Sequence, residues 1–134
     1  MTRKVIRHLD FPTLVLINRE VVSLTGEKHE YDQEDESRIK SLAEEIVREY
    51  NQEEFRESIV RKTSLLVFRI ATGQHFHEGN KRTALVAASA FLRMNGCSVN
   101  IKDEGFVSVV DRAGIAAANL NEIESVLRRL VRSE

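Results

Sequence analysis

Ser64-Leu65-Leu66-Val67-Phe68-Arg69-Ile70-Ala71 is apolar on nearly every side of a helical wheel. A helix without a polar face is buried all round, so this segment predicts the central helix of a bundle. It is the second half of a helix expected over about Glu53 to Thr72. The first half sets Phe55, Ile59 and Val60 among charges, and Gly73 ends the helix as a residue tolerant of positive φ.

The flanking segments follow the same helical period. Upstream, Phe11-Pro12-Thr13 suits a first turn, where the missing proline N–H costs nothing. Leu14, Ile17, Val21 and Leu24 then recur at helical spacing, and Gly26 supplies a stop. Gly26–Glu36 is polar apart from Tyr31 and reads as an exposed loop or short flap, with Asp32–Glu36 a solvated charge run. A second helix is expected from about Glu34 to Tyr50, with Ile39, Leu42, Ile46 and Tyr50 inward.

Downstream, a helix opens near Asn80 and closes at Gly96, with Ala84, Leu85, Ala88, Phe91 and Leu92 on its inner face. Cys97–Ile101 is short and suits an extended segment. Asp103 is placed to cap a helix through about Ala113. Asn121 with Glu124 matches a capping box for a last helix. That helix turns Ile123, Val126, Leu127, Leu130 and Val131 inward and carries Arg128, Arg129 and Arg132 in its final turns. The expectation is an all-α, single-domain bundle of about six helices over residues 1–134.

Composition agrees with this class. Of 134 residues 42% are hydrophobic and 31% charged, an ordinary globular balance, and 6 Gly and 1 Pro leave few chain breakers. The 20 Lys+Arg against 21 Asp+Glu give a net charge of −1, which argues against a basic nucleic-acid coat. The single cysteine, Cys97, excludes an internal disulfide and a Cys-based zinc site. No apolar run approaches the roughly 18 residues of a membrane span, and no secretory leader pattern follows the amino terminus. The expected location is therefore cytoplasmic. His8 and His29 read as surface residues and Cys97 as a packing residue.

One stretch breaks the local rules: Gln74-His75-Phe76-His77-Glu78-Gly79-Asn80-Lys81-Arg82-Thr83. Lys81 and Arg82 fall in the first turn of a helix, where the macrodipole disfavours cations. Gly79 permits close backbone approach, and Asn80 is a good N-cap. Free N–H groups, a glycine and two cations in one small volume suit an anion such as phosphate. Glu78 beside such an anion would repel it unless a divalent cation such as Mg²⁺ lay between. Each residue also has a plainer reading. His75 and His77 would be solvated loop residues, Phe76 a core plug, Asn80 only a cap, and Lys81 and Arg82 a solvated face. A transition-metal site at His75, His77 and Glu78 is a further alternative, and a helix-turn-helix DNA binder a weaker one.

The run Phe76-His77-Glu78-Gly79-Asn80-Lys81-Arg82-Thr83-Ala84-Leu85 resembles the signature of the Fic/Doc family, His-x-Phe-x-Asp/Glu-Gly/Ala-Asn-Gly/Lys-Arg. Lysine before the arginine, followed by Thr-Ala-Leu, is similar to the Doc (death on curing) branch. Phe91-Leu92-Arg93-Met94-Asn95-Gly96 and Leu127-Arg128-Arg129-Leu130 are also Doc-like. The Fic branch carries a second arginine where this chain has Leu85. The position of the family's catalytic histidine holds Gln74, with His75 one residue later. Glutamine cannot take a proton, and loss of a positioned base costs roughly 10²–10⁴-fold.

The resemblance implies that Gln74, His75 and Glu78 occupy the catalytic positions and that Glu78 binds Mg²⁺ or orients the base. It also implies that Phe76 anchors the loop, that Gly79 and Asn80 contact phosphates, and that Lys81 and Arg82 neutralise them. Doc-like proteins are toxins paired with antitoxins; they transfer phosphate from ATP to elongation factor Tu, whereas Fic relatives transfer AMP to protein hydroxyls. The implied function is such an ATP-dependent transfer to a protein hydroxyl, with a protein target, a separate antitoxin, and neither membrane nor direct nucleic-acid partner. Gly26–Glu36 would be the flap that positions the target. Ser23-Leu24-Thr25-Gly26-Glu27 lacks the Gly or Asn that should follow in the family's inhibitory motif, since Lys28 stands there. The alternative is a catalytically degenerate protein of the same fold that binds nucleotide or a partner without turnover.

Overall fold

The computed structural model describes residues 5–24, 33–49, 54–73, 75–76 and 79–134. Six helices account for nearly all regular structure there: α1 (Phe11–Ser23), α2 (Gln33–Arg48), α3 (Phe55–Gly73), α4 (Asn80–Met94), α5 (Glu104–Gly114) and α6 (Leu120–Leu130). The all-α expectation holds. Two short strands, β1 (Cys97–Ser98) and β2 (Arg132–Ser133), pair antiparallel, with Cys97 opposite Ser133 and Ser98 opposite Arg132.

The central helix is the one its sequence marks. α3 packs most extensively against α4 and also touches α6, α5 and α2, while α1 lies across α4 and α2. Ile59, Val60, Val67 and Ile70 are fully buried, as are Ala84, Ala87, Ala88, Phe91 and Leu92 on the facing helix. The alanines let the α3 and α4 backbones approach closely, and removing this apolar surface from water is the main driving force of the bundle.

Helix ends show how the segments are held. Asp10 caps α1 by accepting from the Thr13 N–H (2.9 Å), with Pro12 in the first turn. Asp103 caps α5 by accepting from the Phe106 N–H at 3.0 Å. At the other ends, cations gather carbonyls that the helices leave open. Lys62 Nζ donates to the Ile46 and Val47 carbonyls of α2 at 2.8 and 3.0 Å. Arg56 donates to the Arg128 and Val131 carbonyls at the end of α6 at 3.1 and 2.8 Å.

Several expectations are corrected. The capping box of α6 is Asn119 with Glu122, two residues before the expected pair of Asn121 and Glu124. Glu124 is engaged elsewhere, by Arg61 and Arg128, each at 2.8 Å. α6 ends at Leu130, because Val131 turns extended and delivers Arg132 to β2 rather than to a last helical turn. Leu24 is 77% exposed; the buried side of α1 is instead Leu14, Val15, Asn18, Val21 and Val22. α2 begins at Gln33, inside the expected loop, and Asp35 is buried rather than solvated because Arg38 takes its carboxylate at 2.6 Å. His8 is half-buried: its Nε2 lies 3.0 Å from Lys62 Nζ and its ring 6.0 Å from that of Phe91. Cys97 is buried and free, as a packing residue should be. His29, Tyr31, Tyr50, Glu53 and most of the expected flap (25–32) lie outside the described residues. No helix among those described is long and apolar enough to cross a membrane.

Candidate anion site

The site is built where α3 ends and α4 begins. Gly79 is the N-cap of α4, with φ of 71° and ψ of 22°, and offers no side-chain cap. A side chain is disfavoured there on two counts. The left-handed conformation costs an L-residue about 1–2 kcal/mol, and a Cβ would stand 3.2 Å from Val21 Cγ1 of α1. Asn80 is therefore not the cap. It is already helical, and its side chain turns back on the loop: Nδ2 donates to the Phe76 carbonyl (2.7 Å) and Oδ1 accepts from the Phe76 N–H (3.2 Å). Phe76 is 1% exposed, so the loop is anchored by its ring below and by this amide clamp above.

A second brace comes from inside. Asn18 of α1, buried in the core, donates through Nδ2 to Thr83 Oγ1 at 3.0 Å. The first turn of α4 is thus fixed to α1 as well as to the loop. Nothing in the local pattern of α1 announces this, because an Asn in a helix reads as a solvated position unless its partner is known.

The amino end of α4 opens into a cleft of about 950 Å³. Gly79, Asn80, Lys81 and Arg82 line one side, Arg38 of α2 another, and Val107, Asp111 and Gly114 of α5 a third; Ala71, Phe76 and Leu85 complete it. The four residues expected to hold an anion therefore share one cavity. Lys81 lies against α5: a Cβ on Gly114 would meet Lys81 Cε at 2.7 Å. Its Nζ is 3.8 Å from Asp111 Oδ1, with both side chains about half exposed, so this is a loose, solvent-screened pair. Arg82 is exposed and makes no ion pair with a described residue. Among the described lining residues, three cations face one carboxylate.

His75 lies on another wall. It borders an adjoining groove of about 370 Å³ with Ser37, Arg38, Ser41, Leu42, Glu45 and Arg48, so that Arg38 is common to both spaces. The imidazole rests on Gly73, where a Cβ would come within 2.3 Å of it. Its Nδ1 is buried and has no hydrogen-bond partner among the described residues. Burial pushes its pKa below the usual histidine value, against opposing pulls from the Arg69 carbonyl and the Glu45 carboxylate. The imidazole is therefore neutral at pH 7, and a weaker base than an exposed histidine.

Gln74, His77 and Glu78 lie outside the described residues. Among those described, no three His, Cys, Asp or Glu side chains gather to hold a metal. Asp111 is the one described carboxylate on the cleft wall, and hard oxygen donors of this kind suit Mg²⁺. Arg38, Asp111 and Gly114 escaped the sequence reading, since each sits in an unremarkable amphipathic helix and reaches the cleft only through packing.

The model of the Fic/DOC family matches residues 6–92, a stretch that runs from the segment before α1 through most of α4. It includes Arg38 and the whole Gly79–Arg82 run but not the α5 wall of the cleft. No curated protein matches the chain.

Proposed function

The chain belongs to the Fic/DOC family, and from that premise we propose that it is a Doc-like transferase using ATP·Mg²⁺ to modify a hydroxyl of a target protein. One observation carries this reading: the amino end of α4, whose N-cap Gly79 brings no side chain to cap it, lines with Lys81 and Arg82 a cleft of about 950 Å³. The N–H groups of a helix's first turn and its dipole attract phosphate oxygens, and the two side chains add full charges.

In this reading Gly79 lets the phosphates approach the backbone, while Lys81 and Arg82 offset their charge. Asn80 acts chiefly by holding the loop through Phe76. Glu78, which precedes cleft-lining Gly79 in the chain, would hold Mg²⁺, with Asp111 as a further oxygen donor. Bound there, Mg²⁺ would neutralise charge on the phosphate oxygens. The target hydroxyl oxygen attacks the γ-phosphorus, the bond to the β–γ bridging oxygen breaks, and ADP leaves. Most of the rate would come from positioning and charge stabilisation, which the cradle supplies. The hydroxyl proton cannot go to Gln74; His75 or His77, the two histidines of the run, would receive it.

By the same resemblance the target is a translation factor such as elongation factor Tu in the cytoplasm, and a separate antitoxin restrains the enzyme. Transfer of AMP in place of phosphate is the variant within this chemistry. Gln74 favours a second reading, a degenerate member that binds nucleotide without turnover.

Incubation of the purified protein with labelled ATP, Mg²⁺ and cell extract separates these. Label from the γ-position on a protein indicates phosphate transfer, and label from the α-position AMP transfer. No transfer by the native chain but transfer by Gln74→His indicates a silenced site. Arg82→Ala is expected to weaken ATP binding by about tenfold or more; unchanged binding in calorimetry overturns the nucleotide reading.

A further inference from the structure

The cleft carries a cation that the motif does not contain. Arg38 comes from α2, a helix separate from the one bearing Lys81 and Arg82, yet it lines the same space. We propose that Arg38 is a third anion ligand, which takes the outermost phosphoryl group of a polyphosphate whose inner part rests on the amino end of α4. This rests on the nucleotide reading above and extends it to the length of the phosphate chain.

Three observations carry the assignment. Arg38 is held in place: its Nη2 lies 2.6 Å from Asp35 Oδ1, and Asp35 is only 2% exposed. An ordinary surface pair joins two solvated, mobile groups and fixes neither. The buried Asp35 carboxylate on Nη2 restrains the guanidinium; Nη1 lies 3.9 Å from Oε1 of the exposed Glu34, a loose pair that solvent screens, and the planar fork of five N–H donors keeps others for a ligand. Part of the ordering cost of binding is thereby met in the free protein. Second, the Arg38 side chain remains about half exposed, so it is positioned without being sealed off. Third, the cleft of about 950 Å³ is far larger than one phosphate needs, and its cations sit on different helices. A single phosphate on the first turn of α4 would leave Arg38 unused, whereas a chain of linked phosphates in the same cleft would engage both. Lys81, only loosely paired with Asp111, adds a third charge beside the guanidiniums of Arg82 and Arg38.

Arg38 also borders the groove that holds His75. The end of the phosphate chain would then lie at the junction of the two spaces, on the side from which a hydroxyl-bearing segment could approach.

The test is calorimetric titration of the full chain with AMP, ADP and ATP in Mg²⁺ at fixed ionic strength. In the native protein affinity should rise with each added phosphate. Arg38→Gln should lower ATP affinity by about tenfold while AMP affinity stays within about twofold, flattening the series. Arg38→Lys, which keeps a charge over Asp35 but not the fork, should flatten it in part; it carries the test if Arg38→Gln melts too low to titrate. Equal weakening for all three nucleotides would mean that Arg38 only supports α2, and an unchanged series would mean that it touches no phosphate; either overturns the proposal. Arg82→Gln separates the two levels. If it weakens ATP while the Arg38 variants do not, the nucleotide reading stands and Arg38 falls; if Arg82→Gln also has no effect, both fall.

Discussion

Asn80 shows how much one side chain can be asked to do. Its position and type suit a helix cap, but the cap is Gly79, and the Asn80 amide closes on the backbone of Phe76 through both its donor and its acceptor. Aspartate at this position keeps the acceptor and loses the donor; alanine loses both. Asn80→Ala should therefore destabilise the protein by about 1–3 kcal/mol, the cost of stranding partly buried polar groups, and Asn80→Asp by less. Urea unfolding of the two variants checks the order. Both should weaken nucleotide binding, because the loop leading into Gly79 loses its brace. The sequence shows the residue and its neighbourhood but not this geometry. The same Asn can cap or clamp, and a positive φ at the preceding glycine decides between them.

Helix termini carry the next lesson. Asn119–Glu122 and Asn121–Glu124 both fit the spacing of a capping box, and the sequence alone does not rank them. The first is used, because Glu124 is committed to Arg61 and Arg128. Asn119→Ala should cost about 0.5–2 kcal/mol, and Asn121→Ala, an exposed residue in the first turn, less than about 0.5 kcal/mol; thermal melting of the pair distinguishes them. The early end of α6 has a similar origin. Its helical pattern continues through Val131, but Arg56 from α3 takes the last carbonyls and β2 pairs with β1. Both are contacts between distant parts of the chain, so no local window contains them.

The segment before α1 ties the whole bundle together. The Arg7 N–H donates to Asn95 Oδ1 (2.8 Å), and Asn95 Nδ2 returns a bond to the Arg7 carbonyl (2.9 Å) at the end of α4. His8 then meets Lys62, which is fully buried in α3 and holds the end of α2. A charged lysine has no acceptor, so Nε2 of a neutral His8 accepts its proton. Burial, and then the Lys62 charge, push the His8 pKa below its ordinary value, and burial does the same for His75. The unfolded chain thus binds protons on these groups at higher pH than the folded one. Stability should be full above about pH 6.5 and fall as pH drops from there through the lower folded values. His8→Gln, which keeps an acceptor for Lys62 without titrating, should flatten part of that fall; urea midpoints between pH 7.5 and 5.5 measure it. An undiminished slope in the variant would assign the effect elsewhere.

Periodicity was enough to announce the helices, the central place of α3 and the alanine face of α4, because burying apolar surface is a property of each segment's own pattern. The candidate run was visible for the same reason: Gly79 to Arg82 are consecutive, and they line one cleft. Arg38, Asp111, Gly114, the Asn18–Thr83 brace and the Lys62–His8 pair were invisible, since each depends on two segments far apart in the chain meeting at hydrogen-bond distance. A pattern within one helix reports which face is buried; it takes the packed bundle to say what that face meets.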